Sequence, residues 1–485
     1  MGTQSTKVVL VDDKGMTRAR SSRSYRTHHP APGWAEQDPR DWLTALQGGI
    51  GEAVEAAGIR TDEVAGIGIA AQVDGIVAVD TGNAPLAPAP IWMDRRATRE
   101  LARALERIEP EHVRAISGAN ADPSHGAPKI RWLRDHMDVR GDAYLLPASF
   151  LVASLTGRRT IDRTNASTLL LLDVRANRWA AALLDAFDIE SELVGELCVA
   201  TEVAGPVHRD IAEAWGLPGG CPVVVGCGDE HAACLAADVL RVGVIGDITG
   251  TAEPVAAAAD RPVEDPAGLV ETHAHVPAGR WLIEHPGFVS AGSVRWLAED
   301  VLGCSQPEIG PLAAQAPPGT DGVRFLPALG GASTPRWNPN VFGAYTGLAI
   351  GHDRRHLARA VLEGCSFAVR DVVDRLDSLG LGADIIRVVG GGARDATWLQ
   401  IKADVTNRSI EVLSEPEATA YGAALIAAVG IGWYEDLDAA AAATLRLEPA
   451  RYEPNASVRA LYDDAWAAYR ATFDALEPLS TAGPS

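Results

Sequence analysis

Cysteine is scarce in this chain and poorly spaced for metal. The six cysteines are Cys198, Cys221, Cys227, Cys234, Cys304 and Cys365, with no Cys-x-x-Cys pair among them. That argues against a zinc site and against a disulfide scaffold. Cys227 and Cys234 read as small buried apolar residues, and a reducing cytoplasm is the expected compartment. Long apolar runs are missing too. No stretch of about 18 uncharged apolar residues occurs, so no membrane span is expected. Residues 1–7 lack the basic-then-apolar order of a secretory signal. Positive charge is in deficit, with 43 Lys and Arg against 64 Asp and Glu, a net −21. Such a surface repels phosphate backbones and anionic lipid, so nucleic acid and membrane surfaces are not expected as partners. A nucleotide triphosphate stays admissible, because Mg²⁺ and backbone N–H groups hold it without a basic patch. There is no Walker lysine motif, and Gly390-Gly391-Gly392 does not extend to G-x-G-x-x-G, so P-loop and Rossmann readings fall away. The histidines His28, His29, His125, His273 and His275 show no helical metal spacing and read as surface or loop residues.

What remains is an ordinary globular composition, 47% hydrophobic and 22% charged. A chain of 485 residues exceeds what one core usually organises, so two domains are expected. Lys7 opens a β-rich run, Asp12-Asp13-Lys14-Gly15 is a turn, and an alternating run follows, which predicts a hairpin. Residues 42–57 have the period of an amphipathic helix. Short strands are predicted at 64–71, 76–80, 222–226 and 385–389, and helices at 94–108, 129–136 and 148–156. The alternation of strands and helices argues for α/β layers. A Gly-Thr pair next to β-structure occurs at Gly2-Thr3 and again at Gly250-Thr251. This hints at an internal duplication, with the domain boundary near 240, giving units 1–240 and 241–485. The alanine run 439–443 is expected to be helical, and the tail 480–485 unstructured.

Asp229 is the strongest candidate for chemistry. It follows a buried strand and Gly226-Cys227-Gly228 and precedes an alanine-rich helix. Strand ends in α/β sheets face ligand crevices, and a carboxylate there can accept a hydroxyl proton. The alternative is a plain helix N-cap; His231 is a second, weaker candidate for a base. Gly2-Thr3 and Gly250-Thr251 let backbone approach phosphate oxygens, with a hydroxyl as an extra donor; ordinary β-turns are the alternative. Gly390-Gly391-Gly392 leaves room for a flat group between strand and helix, or is merely a tight connection. Gln72-Val73-Asp74-Gly75 and Trp92-Met93-Asp94-Arg95 offer the polar groups a polyhydroxy ligand needs.

Several longer segments are similar to one family. Gly33-Trp34-Ala35-Glu36-Gln37-Asp38-Pro39, followed by Asp41-Trp42, resembles a segment of xylulose kinases. Gly343-Ala344-Tyr345-Thr346-Gly347-Leu348, seven residues, then His356-Leu357-Ala358-Arg359-Ala360-Val361-Leu362-Glu363 resembles the C-terminal signature of FGGY carbohydrate kinases. Ser124, Lys129, Ile130, Trp132, Leu133, Asp135 and His136 match the N-terminal signature, which departs at Gly126. The resemblance implies two actin-like (ribonuclease H-like) ATPase domains around a central cleft, the first sugar-binding and the second ATP-binding. It implies transfer of a phosphoryl group from ATP to a sugar, most simply a pentulose such as xylulose, with Mg²⁺ as cofactor. By resemblance Asp229 takes the hydroxyl proton and is a candidate metal ligand. Gln72, Val73, Asp74, Trp92 and Asp94 face the sugar; Gly2, Thr3, Gly250 and Thr251 hold phosphates; Gly391 and Gly392 hold adenosine. The expected partner is a small-molecule sugar, with a homodimer left open.

Two departures stand out. Val73-Asp74-Gly75 replaces the Met-His-Gly of xylulose kinases, an acceptor in place of a donor-capable ring. That keeps other ketoses and polyols (erythritol-, ribulose- or glycerol-like) as alternatives. The family's first strand, with its Mg²⁺ aspartate, ends Asp-x-Gly-Thr; here Met1 directly precedes Gly2-Thr3. The first strand of domain I is therefore expected to be missing through a start codon assigned too late. For the chain as written, weak folding and little turnover are expected, and a non-catalytic sugar- or nucleotide-binding homologue is the alternative. A sugar-independent ATPase of the actin and chaperone superfamily is a remoter one.

Overall fold

A computed structural model describes residues 1–137 and 140–479. The predicted unstructured tail at 480–485 lies outside the described residues.

The hairpin forms as the alternation predicts: β1 (Ser5–Val11) pairs antiparallel with β2 (Thr17–Ser24). Helix α1 (Pro39–Ala57) starts at Asp38, whose side chain accepts from Arg40 N–H, with Pro39 in the first turn and Gly58 closing the end at φ 64°. Each device is the expected one: a carboxylate on orphan N–H groups, a proline where no donor is needed, a glycine where φ is positive. Trp42, Leu46 and Ile50 from α1 pack under the hairpin. The strand expected over 64–71 is regular only at β3 (Ala70–Ala71), which runs parallel to β4 (Cys227–Gly228); Ile67 bridges Val223 in the same sense. The helix expected over 94–108 begins late, at Thr98, because Asp94 to Arg96 form a turn closed by side-chain bonds. Helix α2 (Asp229–Ala236) follows β4 directly.

The second half carries the larger sheet. Its strands are β5 (Ile245–Thr249), β6 (Val255–Ala259), β7 (Glu271–Ala274), β8 (Trp281–His285), β9 (Ile385–Gly390) and β10 (Ser409–Val412). Their order is β7-β8-β6-β5-β9-β10. The β5–β9 and β9–β10 pairs are parallel, and the rest antiparallel. Val255, Ala257 and Ile283 reach the core from this sheet, and α3 (Arg354–Ser378) covers it with an almost wholly buried face. Helix α4 (Ala396–Thr406) follows β9, and α5 (Ala418–Gly430) follows β10. The alanine run lies in a helix, Leu437–Thr444.

The two halves meet where α2 crosses α5. At Gly422 an added Cβ would overlap the carbonyl oxygen of Ala232, so the two backbones approach with no side chain between. Gly422→Ala is expected to destabilise the protein by about 2–3 kcal/mol, as overpacking does. A urea midpoint shifted down at unchanged m value would show it; an unshifted midpoint would mean the helices can part freely.

Candidate active site

The parallel pairing of β3 with β4 decides which residues meet. Cys227 stands opposite Ala70 and Gly228 opposite Ala71. The residues that follow, Gln72-Val73-Asp74 and Asp229-Glu230, therefore leave the sheet side by side at its carboxyl edge. A Cβ on Gly228 would touch the Val73 side chain, so glycine lets these two loops close together. Asp229 is partly exposed and begins α2. Its Oδ1 accepts from Glu230 N–H at 3.2 Å, and its carbonyl accepts from Thr419 Oγ1 at 3.4 Å. Burial pushes its carboxyl pKa up, and the nearby N-terminal ammonium of Met1 opposes that.

Gln72 is 2% exposed; its N–H donates to the Met1 carbonyl and its Nε2 to Gln37 Oε1 at 2.9 Å, while Oε1 has no partner among the described residues. Trp92 Nε1 donates to Thr3 Oγ1 at 2.8 Å, and Gln37 Nε2 donates to the Thr3 carbonyl at 2.6 Å. The Gly2-Thr3 loop is thus brought onto the same cluster as Gln72 and Trp92. Asp94 is set deeper. It is 0% exposed, and its carboxylate accepts from Ala35 N–H and from Arg96, whose guanidinium stacks on Trp34 at 3.8 Å. Its oxygens are taken up inside the protein, so it braces the Trp92 turn.

Three histidines read from sequence as surface or loop residues are buried instead: His125, His273 and His275. Carboxylates and carbonyls beneath the domain junction keep them there. His125 lies 3.3 Å from Asp74, His273 3.5 Å from both Glu271 and Glu284, and His275 Nε2 2.9 Å from the Val239 carbonyl. Burial opposes the charge on His125, yet Asp74 raises its pKa to about 9. Lys129 binds the carbonyls of Asp74, Ile91 and Ser124, joining three loops, and burial lowers it to about 8 against the pull of Asp74 and Asp94. Glu230 lies near Glu284 of the other half, and burial with the neighbouring Glu284 and Asp229 charges pushes its carboxyl pKa well up. Sequence reasoning found Lys129 only as a signature match and missed Glu230 and Glu284. The sole available signal was that Glu230 adjoins Asp229.

The His125–Asp74 pair gives a pH test. The folded pKa of His125 exceeds its ordinary 6.5, so its stabilisation is full below about pH 6.5 and lost as pH rises through about 9. In ligand-free denaturation the advantage of the wild type over His125→Asn is expected to fall by about 3 kcal/mol across that window, one pKa unit being about 1.4 kcal/mol. A pH-independent difference would show that the imidazole is neutral throughout.

The second cluster stands on the other half. Thr249 pairs with Gly390 at the ends of parallel strands β5 and β9, which places Gly250-Thr251 beside Gly390-Gly391-Gly392. Gly390 has φ 94°, and its Cβ would meet the Thr249 carbonyl at 2.6 Å. A Cβ on Gly392 would run into the Thr249 side chain, whereas Gly391 faces open space. Under this pair lies a charged cluster that sequence reading did not find. Lys402 of α4, 1% exposed in its side chain, donates to Asp247 Oδ2 at 2.6 Å, to Thr249 Oγ1 at 2.6 Å and to Glu253. Burial and the Asp247 charge raise Glu253 to about 8, with Lys402 pulling it down. Among the described residues no hydrogen bond joins Asp229 to Gly250, Thr251, Gly391 or Gly392. The two clusters sit on separate halves, and the halves meet at the Asp229–Thr419 hydrogen bond.

Two α/β domains, each with a Gly-Thr loop at a strand edge and with an acid between them, define a two-domain kinase fold. The model of the N-terminal domain of the FGGY family of carbohydrate kinases matches residues 1–236, and that of its C-terminal domain matches residues 248–431. The chain belongs to the FGGY family of carbohydrate kinases. It is 28% identical to a xylulose kinase of Lactococcus lactis over 99% of this chain and 96% of the relative. It is 32% identical to a glycerol kinase of Alkalilimnicola ehrlichii, covering 93% and 94%. The crystal structure of a xylulose kinase from Rhodospirillum rubrum superposes with a TM-score of 0.87 at 28% identity, covering 99% and 98%. The expected α/β architecture of two actin-like domains is thus the one found, and the protein is a carbohydrate kinase using ATP.

Proposed function

We propose that this kinase phosphorylates a hydroxyl of a pentulose resembling D-xylulose, with Asp229 as general base. The observation that carries the reading is the adjacency of two strand-end loops, Gln72-Val73-Asp74 and Asp229-Glu230, set by the β3–β4 register. In this reading Gln72, Val73, Asp74 and Trp92 face the sugar, and Asp94 holds the Trp92 turn. Asp229 takes the proton as the sugar oxygen attacks the γ-phosphorus and the bond to ADP breaks. Gly2, Thr3, Gly250 and Thr251 receive the phosphates, and Gly391 and Gly392 receive adenosine. The glycines fit that role, since a Cβ at Gly390 or Gly392 would crowd Thr249, while Gly391 is open.

Mg²⁺ held with a nucleotide takes one or two carboxylates and keeps several waters. Asp247 is tied to Lys402, which leaves Asp229 as the carboxylate suited to the metal; bound, the ion would neutralise charge on the transferring phosphoryl group. Closure of the halves would exclude water and bring Asp229 to the γ-phosphate. We place the domain junction at 240, so that 1–240 binds sugar and 241–485 binds ATP; the two matched regions, 1–236 and 248–431, support that division.

Asp74 favours a second acceptor class. An acceptor-only carboxylate suits a chain of hydroxyl donors, as in another ketose such as ribulose or a polyol such as erythritol or glycerol, and one relative is a glycerol kinase. A coupled ADP assay over a panel of ketoses and polyols separates the readings. The largest kcat/KM is expected with D-xylulose. A polyol ranking first would reassign the substrate, and ADP release no greater with any sugar than without would end the kinase reading for this chain as written.

A further inference from the structure

Lys129 gathers the loops around the Gln72-Val73-Asp74 turn. Its buried ammonium binds the carbonyls of Asp74 at 2.9 Å and of Ile91 at 2.7 Å, and that of Ser124. The Asp74 turn, the Trp92 turn and the segment ending at His125 therefore meet on one cation. His125 directly precedes the helix Gly126–His136, and its side chain takes no part in capping that helix. It turns to Asp74 instead, with Nδ1 3.4 Å from Oδ1 and 3.3 Å from Oδ2. Asp74 itself stands at φ 59°. A strained backbone of this kind persists only where its surroundings hold it, and such positions cluster at ligand sites.

The ring is held charged. Burial opposes the charge, but Asp74, Glu271 and Asp122 outweigh it and raise the pKa to about 9. A charged imidazole carries a donor on each nitrogen. Nδ1–H faces Asp74, whereas Nε2 makes no hydrogen bond among the described residues. The other two carboxylates near it are engaged elsewhere. Glu271 Oε1 accepts from Asn120 N–H at 2.8 Å, and its Oε2 lies 3.5 Å from His273 Nε2. Asp122 accepts from the N–H and hydroxyl of Ser124 and from both terminal nitrogens of Arg95. His125 is only 7% exposed, and a buried charged donor without a partner is costly. The arrangement suits an oxygen that the protein itself does not supply.

We propose that His125 is a specificity-determining residue of the sugar site, its Nε2–H donating to the carbonyl oxygen of a ketose while Asp74 accepts from a hydroxyl of the same molecule. The inference rests on the reading of Gln72-Val73-Asp74 as the sugar-facing loop, and it narrows the substrate class. A carboxylate alone takes any chain of hydroxyl donors. A carboxylate backed by a charged N–H asks for a donor and an acceptor together. A ketone oxygen fits the N–H because it has no proton of its own to place. The hydroxyl that replaces it in the corresponding alditol brings a further donor, which needs a further acceptor. Sites that pair buried polar groups with a ligand reject analogues that leave one unpaired. His125 thus favours a ketose over its alditol.

The test uses two variants that each keep one of the ring's donors. His125→Asn leaves an amide N–H near the place of Nδ1 and loses the one at Nε2; His125→Gln does the reverse. Binding of D-xylulose, xylitol, D-ribulose and ribitol is measured by calorimetry without nucleotide. For the tighter-binding ketose, the wild type is expected to prefer the ketose over its alditol by about 30-fold, the scale of one charge-assisted hydrogen bond. His125→Gln should keep most of that ratio and His125→Asn should lose it. The opposite order, or equal ratios in all three proteins, would reduce His125 to a support for Asp74 and overturn the proposal, as would failure of both ketoses to bind. Should a variant fold poorly, nitrogen NMR of the histidine-labelled wild type reads the same bond. Saturation with the ketose should shift one imidazolium Nε2 signal and leave its Nδ1 in place; no such shift would overturn the proposal. Sugar-dependent ADP release with unchanged ratios would sink this inference alone, and ketose-selective binding without ADP release would sink the kinase reading alone.

Discussion

Asp229→Asn is expected to lower sugar-dependent kcat by about 10³-fold, within the range general-base removal produces, while calorimetric affinity for the sugar changes little. The carboxylate leaves the sheet next to Gln72-Val73-Asp74 and starts α2. The amide of asparagine keeps the size and the bond to Glu230 N–H but cannot take a proton. Burial raises the pKa of Asp229 against the pull of the Met1 ammonium, which brings its basicity nearer the working pH. An interaction made only in the transition state lowers kcat and kcat/KM together. A loss below about tenfold, or a raised KM at unchanged kcat, would assign Asp229 to sugar binding instead. His231 is no substitute base, because it is wholly buried and burial, with His275 and His273, pushes its pKa well down.

Lys402→Met is expected to cost about 3–5 kcal/mol of stability and to raise KM for ATP at unchanged sugar affinity. Removing one partner of a buried ion pair leaves the other charge uncompensated, and here two carboxylates, Asp247 and Glu253, would be left. The effect should be directed at nucleotide, because the ammonium also holds Thr249 Oγ1, and Thr249 supports both Gly250 and Gly392. A merely structural lysine would lower the denaturation midpoint and leave the ratio of the two KM values alone. The double variant Lys402→Met with Glu253→Gln should recover part of the lost stability, since groups in one network are not additive. A double variant no more stable than the single one would remove Glu253 from the pair.

Local chemistry made much of this fold legible. Asp38-Pro39 and Gly58 bracket α1 because capping depends on neighbours in the chain. The hairpin followed from a turn flanked by alternation, and the Asp229 loop from a short apolar run ended by glycines. The 64–71 strand was less legible. Its period is clear, but its pairing with 223–228 is interrupted between the Ile67–Val223 bridge and Ala70, and the period does not record that interruption.

Residue order and type by themselves settled the α/β class, the two glycine-threonine loops, the acid at a strand end and the net acidic charge. Only tertiary structure decided that Asp74 meets His125 and that Lys402 reaches Asp247 from 155 positions away. The reason is physical. Capping, turns and periodicity act over a few residues of chain, whereas a buried charge is tolerated only where an opposite group from a distant strand or helix arrives to meet it, and no spacing along the chain records that arrival.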